Sequence, residues 1–230
     1  MSDRRPEVRG SPAGSDAGYR LVRFLLSLLF RITGGLVVRG KAQIPLDAPL
    51  IVVANHASLA DGIVLVAAFP RRVASLSAAY LFERPIAGPL LRWFGAIPVE
   101  GGPGAAAGIR KALHLLETGG ALMVFPEGGV GPGHRPFEPG WAYLALKAGA
   151  TVLPVGIRGS GHLLPPGTMR PHRAKVEVAI GQPFTVARTA RPRRAEMASL
   201  NTMMEKQLWY LCDSVSEHSD KGDRMVKVEK

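Results

Sequence analysis

In VANHASLAD, residues 53–61, an imidazole and a carboxylate stand five positions apart, directly after an apolar run. A histidine hydrogen-bonded to a carboxylate is held in one tautomer and becomes a better base. It can then take the proton of a hydroxyl as that hydroxyl attacks a carbonyl. On an unbroken helix five residues turn through about 500°, so His56 and Asp61 would face apart. They meet only if His56 stands in a turn before the helix and Asp61 in its first turn, with Ser58 as N-cap. The same residues also fit a plain hydrogen-bonded turn followed by an acid that favours the helix dipole, a reading with no chemistry in it.

A second stretch, FPEGGVGPGHRPFEPG at 125–140, has a comparable ambiguity. Pro126 ends a strand, and Gly128, Gly129, Gly131 and Gly133 leave backbone amides open to a phosphate or an oxyanion. Glu127 is unusual in an anion cradle and suits contact with hydroxyls or the orientation of an arginine. As a plain surface loop, the same glycines are turn formers. Other chemistries lack their motifs. Ser160 in GIRGSGH has Arg158 where a nucleophile elbow needs its first glycine. There is no phosphate-binding Walker loop, and GVGPGH fails the dinucleotide fingerprint. The six histidines have no zinc-ligand spacing, so no metal is expected. The single cysteine, Cys212, lies in a mixed helical pattern and reads as a structural thiol in a reducing compartment.

The elements that must carry these residues alternate. Candidate strands are PLIVVAN, RVASLSA, GAIPV, ALMVF, ATVLPVGI and AKVEVAI, with helix patterns at 60–69, 85–93, 104–118 and 140–148 between them. This predicts an α/β fold with a twisted, mostly parallel sheet flanked by helices. Such sheets place sites at the carboxyl ends of strands, where NHASLAD follows LIVVA and FPEGG follows ALMV. The expected organisation is a disordered tail at 1–18, an N-terminal amphipathic helical lead at 19–45 and one domain at 46–215. That domain ends in a helix at 195–215, followed by a polar tail at 216–230. In the lead, Arg23 and Arg31 leave only FLLSLLF uninterrupted, far short of the roughly 20 residues a spanning helix needs. Wound as a helix, Leu21, Leu25, Leu28, Leu29 and Ile32 form one stripe, with Arg20, Arg23 and Arg31 in reach of headgroups. That stripe either lies in a membrane interface or packs on the domain's own core.

The net charge of +11 attracts polyanions: nucleic acid, an anionic bilayer, an acidic carrier protein or phosphorylated substrates. Aromatic residues are few and not interleaved with the basic ones, so no nucleic-acid partner is expected.

These blocks resemble the glycerolipid acyltransferase superfamily, whose best-known members are the 1-acylglycerol-3-phosphate acyltransferases. NHASLAD resembles the N-H-x-S-x-x-D block, FGAIPVEGG (94–102) the G-x-I block, VFPEGG (124–129) the F-P-E-G block and VLPVGI (152–157) the final V-x-P-V block. FEPGWAYLA is similar to the F-x-x-G segment that follows F-P-E-G. The resemblance covers residues 50–157 and extends toward 184. It implies His56 as general base, Asp61 as its orienting acid, and direct attack of an acceptor hydroxyl on a fatty acyl thioester without an acyl-enzyme. It also implies a substrate site around Asn55, Ser58, Phe125, Pro126, Glu127 and Gly128. No cofactor is implied, only acyl-CoA or acyl carrier protein as co-substrate, a lipid acceptor, and a peripheral position on the cytoplasmic face of a membrane.

Two family cations are missing. The G-x-I block usually ends in an arginine that meets the acceptor phosphate, where this chain has Gly101 after Glu100. F-P-E-G is often followed by Thr-Arg, where this chain has Gly129 and Val130. A phosphate without a charge-assisted partner binds less well by roughly a few kcal/mol. The acceptor is therefore either phosphorylated and held by Arg135 or Arg158, or a different lipid hydroxyl or amine. A lipid-binding scaffold without catalysis is the alternative on the same fold.

Overall fold

The strand Leu50–Ala54 (β2) is five consecutive apolar residues, LIVVA, and all five are buried. A strand covered on both faces needs no alternation of polar and apolar side chains, and such strands belong to the middle of parallel sheets. In the computed structural model, which describes residues 16–101, 104–130, 136–168 and 170–226, β2 has parallel neighbours on both sides. On one side lies Ala121–Val124 (β5), with Val53 beside Val124. On the other lies Thr151–Arg158 (β6), with Ala54 beside Val155.

The sheet extends outward in the order β1-β7-β6-β2-β5-β3-β4. Here β1 is Leu36–Arg39, β3 is Ala74–Ala78, β4 is Ile97–Val99 and β7 is Val176–Ile180. A two-residue strand, Phe184–Thr185 (β8), pairs with the start of β6. All pairings are parallel except those of β6 with β7 and β8.

Alternate residues of β2 serve two cores. Leu50, Val52 and Ala54 pack with Leu153, Val155 and Ile157 under the helices Asp16–Thr33 (α1) and Ala60–Ala68 (α2). Ile51 and Val53 pack with Leu122, Val124 and Val152 on the other side. That side is covered by Ala105–Glu117 (α4), Gly140–Ala148 (α5) and Arg194–Val226 (α7). Ala87–Trp93 (α3) joins β3 to β4, and the four-residue turn of helix Ser160–Leu163 (α6) follows β6.

Two boundaries differ from expectation. The segment 19–45 is not all helical lead, because it contains β1, which pairs in parallel with β7 from Leu36 beside Val176 onward. The final helix passes 215 and runs to Val226, where a polar tail was expected.

The stripe expected on α1 is not packed into the domain's core. Tyr19 and Phe30 enter the core and Leu26 packs against it. Leu21, Phe24, Leu25, Leu28, Leu29 and Ile32 stay exposed, each at 48% or more. No helix among the described residues is long and apolar enough to cross a membrane.

Candidate active site

Beyond Ala54 the chain is fixed from three directions. Asn55 acts as one more rung of the sheet: its Nδ2 donates to Ile157 O at 2.8 Å and its Oδ1 accepts from Ile157 N at 2.7 Å. The amide of His56 donates to Glu127 Oε1 at 3.2 Å. Ser58 Oγ donates to Leu164 O at 2.7 Å and accepts the amide of Ala60, the first residue of α2, at 3.1 Å. The turn is thus tied to β6, to the loop after β5 and to the segment after α6.

These ties allow the five-residue spacing to close. Asp61 sits in the first turn of α2, and its carboxylate folds back over the entry to the helix. Oδ2 accepts the Ser58 amide at 2.8 Å and lies 2.9 Å from His56 Nδ1. Because Oδ2 is an acceptor toward a backbone N–H, it is the acceptor toward the ring as well. Nδ1 then carries the proton and Nε2 presents its lone pair. The acid is fully buried, whereas the histidine side chain keeps 15% exposure. Asp61 Oδ1 is buried with no hydrogen-bond partner among the described residues.

One face of the imidazole is covered by Phe125, stacked at 4.0 Å between centroids and 15° between planes. Phe125 opens a tight turn in which the Gly128 amide donates to Phe125 O at 3.2 Å, with Gly128 at φ +67°. That left-handed backbone is why this position needs glycine. The Glu138 amide donates to Pro126 O at 2.7 Å, drawing FEPG back over the turn.

Several residues expected at the substrate therefore form the frame. Both ends of the Asn55 amide are engaged by Ile157, and Ser58 is fully buried with its hydroxyl in use. Pro126 is buried and the Gly128 amide closes its own turn, so that amide is not open to an anion. Glu127 lies on the His56 backbone, which makes it a positioning group. Arg158 is exposed at the end of β6. Arg135, Gly131 and Gly133 lie outside the described residues. Among the described residues no group of three or more histidine, cysteine or acidic side chains is arranged to hold a metal.

Helix α7 also borders the site. The Cys212 thiol is pushed up to about 11 by burial, against a hydrogen bond to the Ile157 backbone. The charges of Asp213 and Glu127 raise it further and Arg158 opposes them. That hydrogen bond to Ile157, whose backbone also holds the Asn55 side chain, places α7 beside the site. Gly156 carried the signal for this contact: a glycine inside a strand of branched residues marks close approach by another backbone. A Cβ there would lie 2.9 Å from the Cys212 amide nitrogen. A surface hollow of about 440 Å³, lined by Leu113, Glu117, Lys147 and Arg188, lies toward the other end of the sheet, away from His56.

Known proteins share this fold. The acyltransferase family model matches residues 35–158, which begin at the approach to β1 and end with β6. A 1-acyl-sn-glycerol-3-phosphate acyltransferase of Bacillus subtilis is 22% identical over 192 residues, 83% of this chain and 94% of its own. One from Borreliella burgdorferi is 30% identical over 124 residues, 52% of this chain and 50% of that protein. The crystal structure of the 1-acyl-sn-glycerophosphate acyltransferase PlsC from Thermotoga maritima superposes with a TM-score of 0.68 at 28% identity. That match covers 85% of this chain and 79% of that one. With more than half of its length matched and the His56–Asp61 pair at the head of its central strand, this chain belongs to the acyltransferase family.

Proposed function

We propose that the protein transfers a fatty acyl group from a thioester of coenzyme A or acyl carrier protein to a hydroxyl of a lysoglycerolipid acceptor at a membrane surface. The observation that carries this reading is the 2.9 Å contact between a partly exposed His56 and a fully buried Asp61. Nε2 takes the proton of the acceptor hydroxyl while its oxygen attacks the thioester carbonyl. The carbon–oxygen bond forms, the carbon–sulfur bond breaks, and the departing thiolate receives the proton back from the imidazolium. Asp61 stabilises the charged ring in between. No acyl-enzyme is needed, in keeping with the absence of a nucleophile elbow in GIRGSGH.

The names of the relatives point to a phosphorylated acceptor, 1-acyl-sn-glycerol-3-phosphate. Gly101, Gly129 and Val130 supply no cation for that phosphate, which leaves Arg158 as the guanidinium of the predicted set that the structure describes. The exposed apolar face of α1 supports a peripheral position on a membrane, which we place on the cytoplasmic leaflet as part of the proposal. The test is release of free thiol from acyl-CoA and from acyl carrier protein, with lysophosphatidic acid compared against an uncharged lyso-lipid. Turnover that needs acceptor and vanishes in His56→Ala is expected. Thiol release with none of the acceptors, or release unaffected by His56→Ala, would overturn the reading.

A further inference from the structure

Two stretches of this chain contain no acidic residue, one between Asp16 and Asp47 and one between Glu138 and Glu177. The fold joins them. The Ala174 amide donates to Thr33 O at 2.7 Å, the Val176 amide donates to Gly35 O at 2.9 Å, and β1 then pairs with β7. A Cβ on Gly34 would run into the Ala174 carbonyl, so the two backbones are in direct contact. Residues 170–175 are thereby clamped on the carboxyl end of α1.

The exposed side chains at this junction are basic: Arg170, His172, Arg173 and Lys175, with Arg31 in the last turn of α1. The local carboxylate, Glu177, is 5% exposed and already held by Lys175 at 2.9 Å and Arg39 at 3.9 Å. Arg31, Arg170 and Arg173 make no ion pair among the described residues. Their uncompensated charge calls for a polyanion.

The neighbouring surface decides which polyanion. Leu28, Leu29 and Ile32 are exposed on the same end of α1. A soluble acidic protein would satisfy the guanidinium groups and leave these side chains in water. A bilayer bearing anionic headgroups satisfies both. The junction is also close to the catalytic turn. The His172 amide donates to Leu163 O, and the next carbonyl, Leu164 O, holds the Ser58 hydroxyl.

We propose that residues 170–175, together with Arg31, form a recognition surface for anionic lipid headgroups that seats the protein with its His56 site toward the bilayer. The proposal rests on the reading of that site as one that acts on lipids, and it adds a partner and an orientation to it.

The full chain carrying Arg170→Ala and Arg173→Ala tests this by cosedimentation with vesicles. Binding to vesicles containing about a third phosphatidylglycerol should weaken on the order of twentyfold at physiological salt, since each basic group near such a surface contributes a factor of about five. Binding to pure phosphatidylcholine should not change, and Arg170→Lys with Arg173→Lys should restore the preference. An unchanged melting temperature would show that the fold is kept. Full binding of the alanine variant to anionic vesicles would overturn the proposal. So would release of the wild type by inorganic phosphate but not by chloride at the same ionic strength, which would mark a site for the free anion. Loss of binding to an acidic carrier protein with vesicle binding intact would also overturn it, in favour of a soluble partner. Failure of the acyltransferase reading shows separately, as absence of thiol release with a dispersed short-chain acceptor.

Discussion

Asp61 Oδ2 accepts from both a ring nitrogen and a backbone amide, so replacing that oxygen has a defined consequence. In Asp61→Asn the side-chain carbonyl takes the Ser58 amide or the ring, but it carries no charge to favour an imidazolium. If the amide NH2 turns toward Nδ1, the ring proton moves to Nε2 and the base is lost. The expected result is a fall in kcat of about a thousandfold or more with little change in KM. His56→Ala removes the base that Asp61 serves, so it should cost at least as much, about a thousandfold or more, with the fold retained, as checked by circular dichroism. Near-normal turnover in Asp61→Asn would mean that the pair is structural. The spacing of these two residues fits a plain capped turn as well as a working pair, and it is the resemblance of four blocks in order that singles them out; the structure shows that they meet. The roles of Asn55 and Ser58 were not legible in the sequence, because their partners, Ile157 and Leu164, lie 102 and 106 positions away. A polar side chain in a turn shows its capacity for hydrogen bonds but not the distant carbonyl that uses it.

The six runs named from the sequence all became strands. In β2, β5, β6 and β7 near-continuous burial accounts for their mainly apolar residues, whereas β3 and β4 are only partly buried. Strand β1 escaped because LVVR follows the apolar pattern of α1 after only two glycines, so the whole stretch reads as one helical lead. Helix α7 was expected, but its seat was not, because only the gap at Gly156 shows where it docks. Gly156→Ala tests that seat. Within a strand, alanine is ordinarily the more stable residue. Here its Cβ would meet Leu211 and the backbone of Cys212 at 2.9 Å, so overpacking should destabilise the protein by about 2 kcal/mol and lower Tm by roughly 5 °C. Cys212 reports on the same displacement. Burial holds its thiol at about 11, so alkylation near pH 8 is slow in the wild type and should accelerate as α7 lifts. An unchanged Tm with an unreactive thiol would refute the close docking of α7 on β6.

The fold as assembled gives α1 one face in the core and one exposed, and what each contributes can be measured apart. Tyr19 and Phe30, at 4% and 3% exposure, close the core over α2, and the Tyr19 hydroxyl donates to Arg71 O at 3.1 Å. The guanidinium of Arg72 lies 5.1 Å from the Tyr19 ring and 5.9 Å from that of Trp93, tying α1 to α3. Deleting residues 1–33 would therefore uncover core and should lower Tm sharply, which makes truncation an ambiguous probe of membrane contact. Substituting only the outward face separates the effects. Leu25 and Leu28 are 52% and 49% exposed, so Leu25→Ser with Leu28→Ser should leave Tm within a degree or two of the wild type. If that face enters a bilayer, each leucine contributes about 1.5 kcal/mol or more of transfer free energy, and vesicle binding should fall by about two orders of magnitude. Unlike the loss from the basic junction, this one should appear on neutral and anionic vesicles alike, because it removes apolar area rather than charge. A variant that binds both kinds of vesicle as the wild type does would show that the exposed stripe never enters lipid, and the surface seating the His56 site would have to be sought elsewhere on the protein.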